Sequence, residues 1–158
     1  MKQKQSNLQS SLLDRLIDYE PGVSRESVQN RFPSFGQIKA RVIRDLEKLL
    51  NTKGTIMVPP PSYPEINHSL FNYGLTDFTS HNPKSQTFRQ RLRQEIERTI
   101  SCFEPRLKNV TVRLETSTQT ERNLRFKIVG FLVVDPVTEP VTFDTYFDVN
   151  RGEYIIQK

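Results

Sequence analysis

The chain holds a single cysteine, Cys102, so no disulfide can close within it, which suits a reducing compartment. Tryptophan is absent, and the only histidines are His68 and His81. Neither lies near Cys102 at a spacing that would suggest a zinc ligand set or a Cys-His nucleophile. The six glycines are scattered, and none build a phosphate-cradling loop or a dinucleotide fingerprint. No apolar run approaches the ~20 residues of a membrane span. The opening stretch "MKQKQSNLQSS" lacks the apolar core of a signal peptide. These absences predict a cytoplasmic chain with no metal, no cofactor and no insertion into membrane.

What is present is charge. Lys and Arg total 23 against 18 Asp and Glu, giving a formal +5 and a pI near 9.5. The distribution argues against nucleic acid as a partner. From Phe131 onward, Asp135, Glu139, Asp144, Asp148 and Glu153 face only Arg151 and Lys158. The densest basic stretch, "RQRLRQEIER", is diluted by Glu95 and Glu97 and carries no aromatic for stacking on bases. It reads as a solvated helix face with local ion pairs. At 35% hydrophobic residues and a mean hydropathy of −0.59, the 158-residue chain is polar for a free-standing globule. Its length is that of one domain.

Residues 1–10 are rich in Gln, Ser and Lys and read as a flexible tail. Residues 11–34 read as a short amphipathic helix and a turn-rich connector. In "SLLDRLID", Ser11 can cap, while Leu12, Leu13, Leu16 and Ile17 share one face. That stripe either docks on its own domain or projects towards a partner groove. Residues 35–158 read as one α+β domain. A helix runs from about Phe35 to Leu50, with Val42, Ile43, Leu46, Leu49 and Leu50 inward and Lys39, Arg41, Arg44 and Lys48 outward. Gly54 is available for a left-handed cap. "VPPPSYP" enforces an extended passage, and "EINHSLFNYGLTDF" suggests a brief helix closed by Gly74. A second helix starts near Ser85, with Phe88, Leu92, Ile96, Ile100 and Phe103 in one stripe.

After that helix the period changes to two. Val110, Val112 and Leu114 alternate with polar residues, and Leu124, Phe126 and Ile128 share a face. Val141, Phe143, Phe147 and Val149 oppose Asp144, Tyr146 and Asp148, and Arg151-Gly152 marks a tight turn before "YIIQ". Helices followed by a meander predict an antiparallel sheet of about four strands in the C-terminal half, with the two main helices packed on it. The last strand is a candidate sheet edge, its main-chain groups unpaired unless something covers them.

The joint between the two patterns is "CFEPRL", Cys102–Leu107. Pro105 disfavours helical dihedrals at Glu104, so the helix should stop near Phe103. Glu104 then sits at a helix C-terminus, where the macrodipole disfavours an anion by ~0.3–1 kcal/mol. In an extended segment, Glu104 and Arg106 would point to the same side. They form either a local ion pair worth ~0–1 kcal/mol or a two-charge handle for a partner. Glu104 with Asp144 or Asp148 could supply the two carboxylates of a glycoside hydrolase, but no spacing singles them out.

Four segments, in order, resemble the lysozyme-like baseplate wedge family of contractile injection machines, and more narrowly the TssE family of type VI secretion. They are "SLLDRL" at Ser11–Leu16, "VIRDLEKLLNTKG" at Val42–Gly54, "NYGLTDF" at Asn72–Phe78 and "FEPRL" at Phe103–Leu107. Lys53 stands where the family's usual ending has arginine, and Thr76 where its turn has proline. The resemblance implies a non-enzymatic baseplate component that joins the wedge to the contractile sheath and initiates sheath assembly. It implies wedge partners of the TssF, TssG and TssK type and sheath partners of the TssB/TssC type, on the cytoplasmic side of an envelope-anchored apparatus. Carried over, Glu104, Pro105 and Arg106 would hold the wedge core, as one handle presented outward. The C-terminal hairpin, through Val141, Phe143, Thr145, Phe147, Tyr154 and Ile156, would pair with sheath strands. A peptidoglycan hydrolase and an anti-adaptor on the same fold are the competing readings.

Overall fold

Ser34 opens the first long helix with a reciprocal cap. Its Oγ accepts from the Gln37 amide at 3.3 Å, and Gln37 Oε1 accepts from the Ser34 amide at 2.8 Å. The helix that follows, α2 (Phe35–Asn51), buries Ile38 with the five residues its periodicity placed inward. Ser85 caps α3 (Gln86–Phe103), accepting from the Phe88 amide at 3.4 Å. Leu92, Ile96 and Ile100 are the fully buried centre of its stripe, while Phe88 and Phe103 pack at the margins. α3 stops at Phe103, where Pro105 requires it to stop.

In this computed structural model the described residues are 11–17, 21–22, 33–57, 60, 62–78, 85–115, 124–148 and 151–157. The tail, most of the connector, Val58, Pro59 and Pro61 of the proline-rich passage, His81 and Val149 lie outside them. Four antiparallel strands follow the helices in chain order: β1 (Leu107–Leu114), β2 (Leu124–Val134), β3 (Val137–Asp148) and β4 (Glu153–Ile156). The α+β class, the four-strand meander and the helices packed on it are as the periodicities predict. Leu107, Val112, Phe126, Ile128, Leu132, Val141, Phe143 and Ile156 form the sheet's share of one core with α2 and α3. Each such side chain contributes roughly 1.5–3 kcal/mol by leaving water. Gly152, at φ +68°, makes the β3–β4 turn, its amide donating to Asp148 O at 2.8 Å.

Two local expectations change, and one left open is narrowed. Residues 64–72 form two short 3₁₀ helices, Pro64–His68 and Leu70–Asn72, instead of one brief helix. Side chains take the local carbonyl there: Ser69 Oγ donates to Ile66 O at 2.8 Å and Asn72 Nδ2 to the same oxygen at 3.3 Å. The left-handed glycine is Gly74, at φ +107°, and not Gly54. Gly54 instead donates to Leu75 O at 2.7 Å, and Leu75 donates to Thr52 O at 2.9 Å. A side chain at Gly74 would strike the Thr52 carbonyl. Of the two readings left open for the stripe of α1 (Leu12–Leu16), docking on its own domain does not hold: the leucines turn outward, with Leu12 at 72% and Leu16 at 74% exposure, while Asp14 is buried. The helix docks through its charge and not through its apolar stripe.

Candidate partner-binding surfaces

Glu104 is the residue that ends α3, with φ −120° and ψ 80°. Its amide still donates to Ile100 O at 2.8 Å, and its carbonyl accepts from Leu107 N at 3.1 Å. Pro105 and Arg106 therefore form a turn, not an extended segment. The turn folds the guanidinium back on the carboxylate. Arg106 Nε donates to Oε1 at 2.7 Å and Nη2 to Oε2 at 2.6 Å, a two-pronged fork, and the Arg106 amide adds a third bond at 3.2 Å. Glu104 is 4% exposed, so the two charges face each other and only Arg106 reaches the surface. The unfavourable helix-end position of the anion is offset by these three donors.

The pair is one end of a longer network. Arg106 Nη2 also donates to Asp45 Oδ2 at 2.7 Å. Asp45 Oδ1 accepts from Arg44 Nε at 2.9 Å and Nη2 at 2.7 Å. Arg44 Nη2 reaches Asp14 Oδ1 at 2.8 Å, and Ser11 Oγ donates to Asp14 Oδ2 at 2.6 Å. Arg41 approaches the same carboxylate at 3.9 Å. Charges thus alternate Glu104, Arg106, Asp45, Arg44, Asp14, and join the α3–β1 turn to α2 and α1. Burial pushes the Asp14 carboxyl up, but the Ser11 and Arg44 bonds and the Arg41 and Arg44 charges outweigh it and hold it below its ordinary value. Burial likewise opposes the Arg106 charge, yet the bonds to Glu104 and Asp45 raise its pKa overall. The Tyr73 phenol is pushed up by burial and by the charges of Asp45 and Glu104.

Network and turn border a groove of about 570 Å³, whose apolar lining includes Leu13, Ile38, Tyr73, Phe103, Pro105 and Val134. Asp14, Arg44 and Asp45 had no signal in the sequence that tied them to Arg106. Asp45 lies 61 residues from it, and Asp14 lies 30 from Arg44.

The six strand residues fall on the core side of the C-terminal hairpin. Val141, Phe143, Thr145 and Ile156 are buried, and Phe147 stacks on Tyr154 with ring centroids 4.9 Å apart. The outer edge of β4 is not bare. Asn51 Oδ1 accepts from the Tyr154 amide at 2.7 Å, Asn51 Nδ2 donates to the Tyr154 carbonyl at 2.9 Å, and Glu47 Oε1 accepts from the Ile156 amide at 3.1 Å. On the outer side of β1, Glu97 Oε1 accepts from Val112 N at 2.8 Å, and past the end of the strand Arg89 Nη2 donates to Glu115 O at 2.6 Å.

Glu104 and Asp144 line different cavities, and Asp144 pairs with Lys127 at 3.4 Å. The fold does bring Cys102 Sγ to 3.4 Å from His68 Nδ1, a proximity with no sequence signal. Among the described residues no group of three or more potential ligands could hold a metal ion. No described helix is long and apolar enough to cross a membrane.

A search of curated proteins finds no match. A family model described as "Baseplate wedge protein gp25" matches residues 36–137, which takes in α2, α3, the charge network's Glu104, Arg106, Asp45 and Arg44, and the sheet as far as the start of β3. The match spans well over half of the chain, so the chain belongs to the gp25 family of baseplate wedge proteins, the family to which TssE of type VI secretion also belongs.

Proposed function

We propose that this protein joins the baseplate wedge of a type VI secretion system to the contractile sheath and initiates sheath assembly on the cytoplasmic side of the apparatus. Family membership supports a structural role in a baseplate. The observation that carries the finer reading is the alternating charge network ending at Arg106, at the rim of an apolar groove. Arg106 and Pro105 make the wedge contact, with partners of the TssF, TssG and TssK type. Glu104 acts as a positioning residue, because its carboxylate is spent on holding the Arg106 fork. The sheath side, with partners of the TssB/TssC type, lies on the C-terminal hairpin, where strand pairing uses main-chain groups. No catalytic role is assigned.

The test is capture of wedge subunits by wild type, Arg106→Lys and Pro105→Ala, with thermal melting as a control for folding. Lysine keeps the charge but loses the planar fork. The expected result is near-native melting for Arg106→Lys with wedge capture reduced about tenfold or more, a planar charge-assisted contact being worth ~1.5–3 kcal/mol. Native capture by both variants, with normal sheath assembly, would remove Arg106 and Pro105 from the interface.

A further inference from the structure

We propose that Asp45 is the residue that aims Arg106 at its partner, and that the guanidinium edge left open, Nη1, meets an uncharged main-chain carbonyl of a wedge subunit and not a carboxylate. The inference rests on the wedge contact proposed above and names the chemistry that completes it.

An arginine side chain has five N–H donors, one on Nε and two on each terminal nitrogen. In Arg106 three of them are spent. Nε donates to Glu104 Oε1, and Nη2 divides its pair between Glu104 Oε2 at 2.6 Å and Asp45 Oδ2 at 2.7 Å. Among the described residues no acceptor takes either donor of Nη1. The side chain is 23% exposed and lines the groove beside Tyr73, Phe103 and Pro105.

This open edge belongs to a group that is held still. The Glu104 fork sets its plane, but Glu104 lies two residues away on the same turn. Asp45 ties the guanidinium to α2, and Asp45 is fixed in its turn, Oδ1 accepting from Arg44 Nε at 2.9 Å and Nη2 at 2.7 Å. The main chain is pinned as well, Arg106 O accepting from Val133 N at 2.8 Å. A donor pair aimed in advance loses little side-chain entropy when it binds.

Charge decides the acceptor. The network joins three carboxylates, Glu104, Asp45 and Asp14, to three guanidiniums, Arg106, Arg44 and Arg41. It has no positive excess, and two of its anions already bond Arg106. A third carboxylate on Nη1 would face both as like charges across one guanidinium, which penalises an acidic partner. The Tyr73 phenol on the same groove is pushed up by burial and then by the charges of Asp45 and Glu104, so this wall presents carboxylate charge. A carbonyl oxygen accepts from a guanidinium without adding an anion. Phe103, Pro105 and Val134 make the adjoining wall apolar, which suits an apolar residue next to that carbonyl.

The experiment measures binding of purified TssF/TssG-type wedge subunits to the full chain as wild type, Asp45→Asn, Arg106→Lys and the double variant, with thermal melting as the control for folding. Asp45→Asn keeps the side chain's size, removes its charge and leaves one acceptor oxygen where there were two. Binding is expected to weaken about fivefold to tenfold, the effect of about one hydrogen bond. The same change in the Arg106→Lys background should alter binding by less than about twofold, because Asp45 acts through the guanidinium. The loss should persist from about 0.1 to about 1 M salt, where screening erases a long-range charge effect. Guanidinium NMR reads the wild type directly: on binding, the Nη1 hydrogens should shift and become protected from exchange. Tighter binding by folded Asp45→Asn would mark an acidic partner group and overturn the proposal. Unchanged binding, an equal loss in the Arg106→Lys background, or Nη1 hydrogens unaltered in the wild-type complex would overturn it too. Native binding by Arg106→Lys, or no binding by wild type, would overturn the wedge contact itself, and this inference with it.

Discussion

Arg106→Leu should cost stability far beyond a surface ion pair, and the reason is Glu104. The carboxylate is 4% exposed and takes two side-chain bonds from Arg106, whose own side chain is 23% exposed. Removing the guanidinium strands a buried anion, a defect that typically costs ~3–5 kcal/mol. Here the Arg106 amide stays on Oε1 and Asp45 keeps Arg44, so the loss falls to or just below the bottom of that range, about 2–3 kcal/mol. For a chain of this size that lowers the melting temperature by roughly 5–10 °C. Glu104→Leu should cost a similar amount, about 2–3 kcal/mol, because it leaves Arg106 with Asp45 alone. The double variant removes both charges, so its loss should fall short of the sum by about 1.5–3 kcal/mol. Urea unfolding of the four proteins, followed by circular dichroism, gives the cycle directly. If the two single losses add to the double within ~0.5 kcal/mol, the pair is energetically idle and the joint is held by packing alone.

Acid should release α1 before it unfolds the domain. The Asp14 carboxyl is held below its ordinary 3.8, so its ionised form stabilises the folded state. That contribution is present above the unfolded value and is lost as pH falls through the lower folded value. The stability difference between wild type and Asp14→Asn should therefore be largest near neutrality and shrink below about pH 4. A difference that stays constant down to pH 2 refutes the linkage. Gly74→Ala should cost more than Gly152→Ala although both positions have positive φ, because only at Gly74 does a new Cβ meet backbone. Losses of about 2–3 kcal/mol and about 1 kcal/mol are expected in thermal unfolding, and equal losses would show that the Thr52 contact relaxes freely.

Much of the architecture was legible along the chain. Ser34 and Ser85 cap helices whose apolar residues recur every three to four positions, and Pro105 ends α3 within one residue of its expected stop. The change to period two before Val110 marked the sheet, and Arg151-Gly152 its last turn. α1 was legible as a helix but not in its orientation. Its three leucines, with Ile17 just after them, turn outward because Asp14, between them, found Arg44 thirty positions away. Gly54 and Gly74 looked equally able to end an element, and only the close approach of Thr52 and Leu75 selects Gly74 for positive φ.

The site divides in the same way. Local sequence specifies that the helix must end at Glu104 and that a proline must follow, since those effects act over one or two residues. It also specifies strands with one apolar face. Which charges meet, and which sheet edges remain open, is decided by the tertiary fold. Hydrogen bonds and ion pairs act over about 3–4 Å, and the partners come from far apart: Asp45 reaches Arg106 across 61 positions and Asn51 reaches Tyr154 across 103. A four-residue β4 beside a twelve-residue β3 leaves an edge that no single stretch of sequence announces.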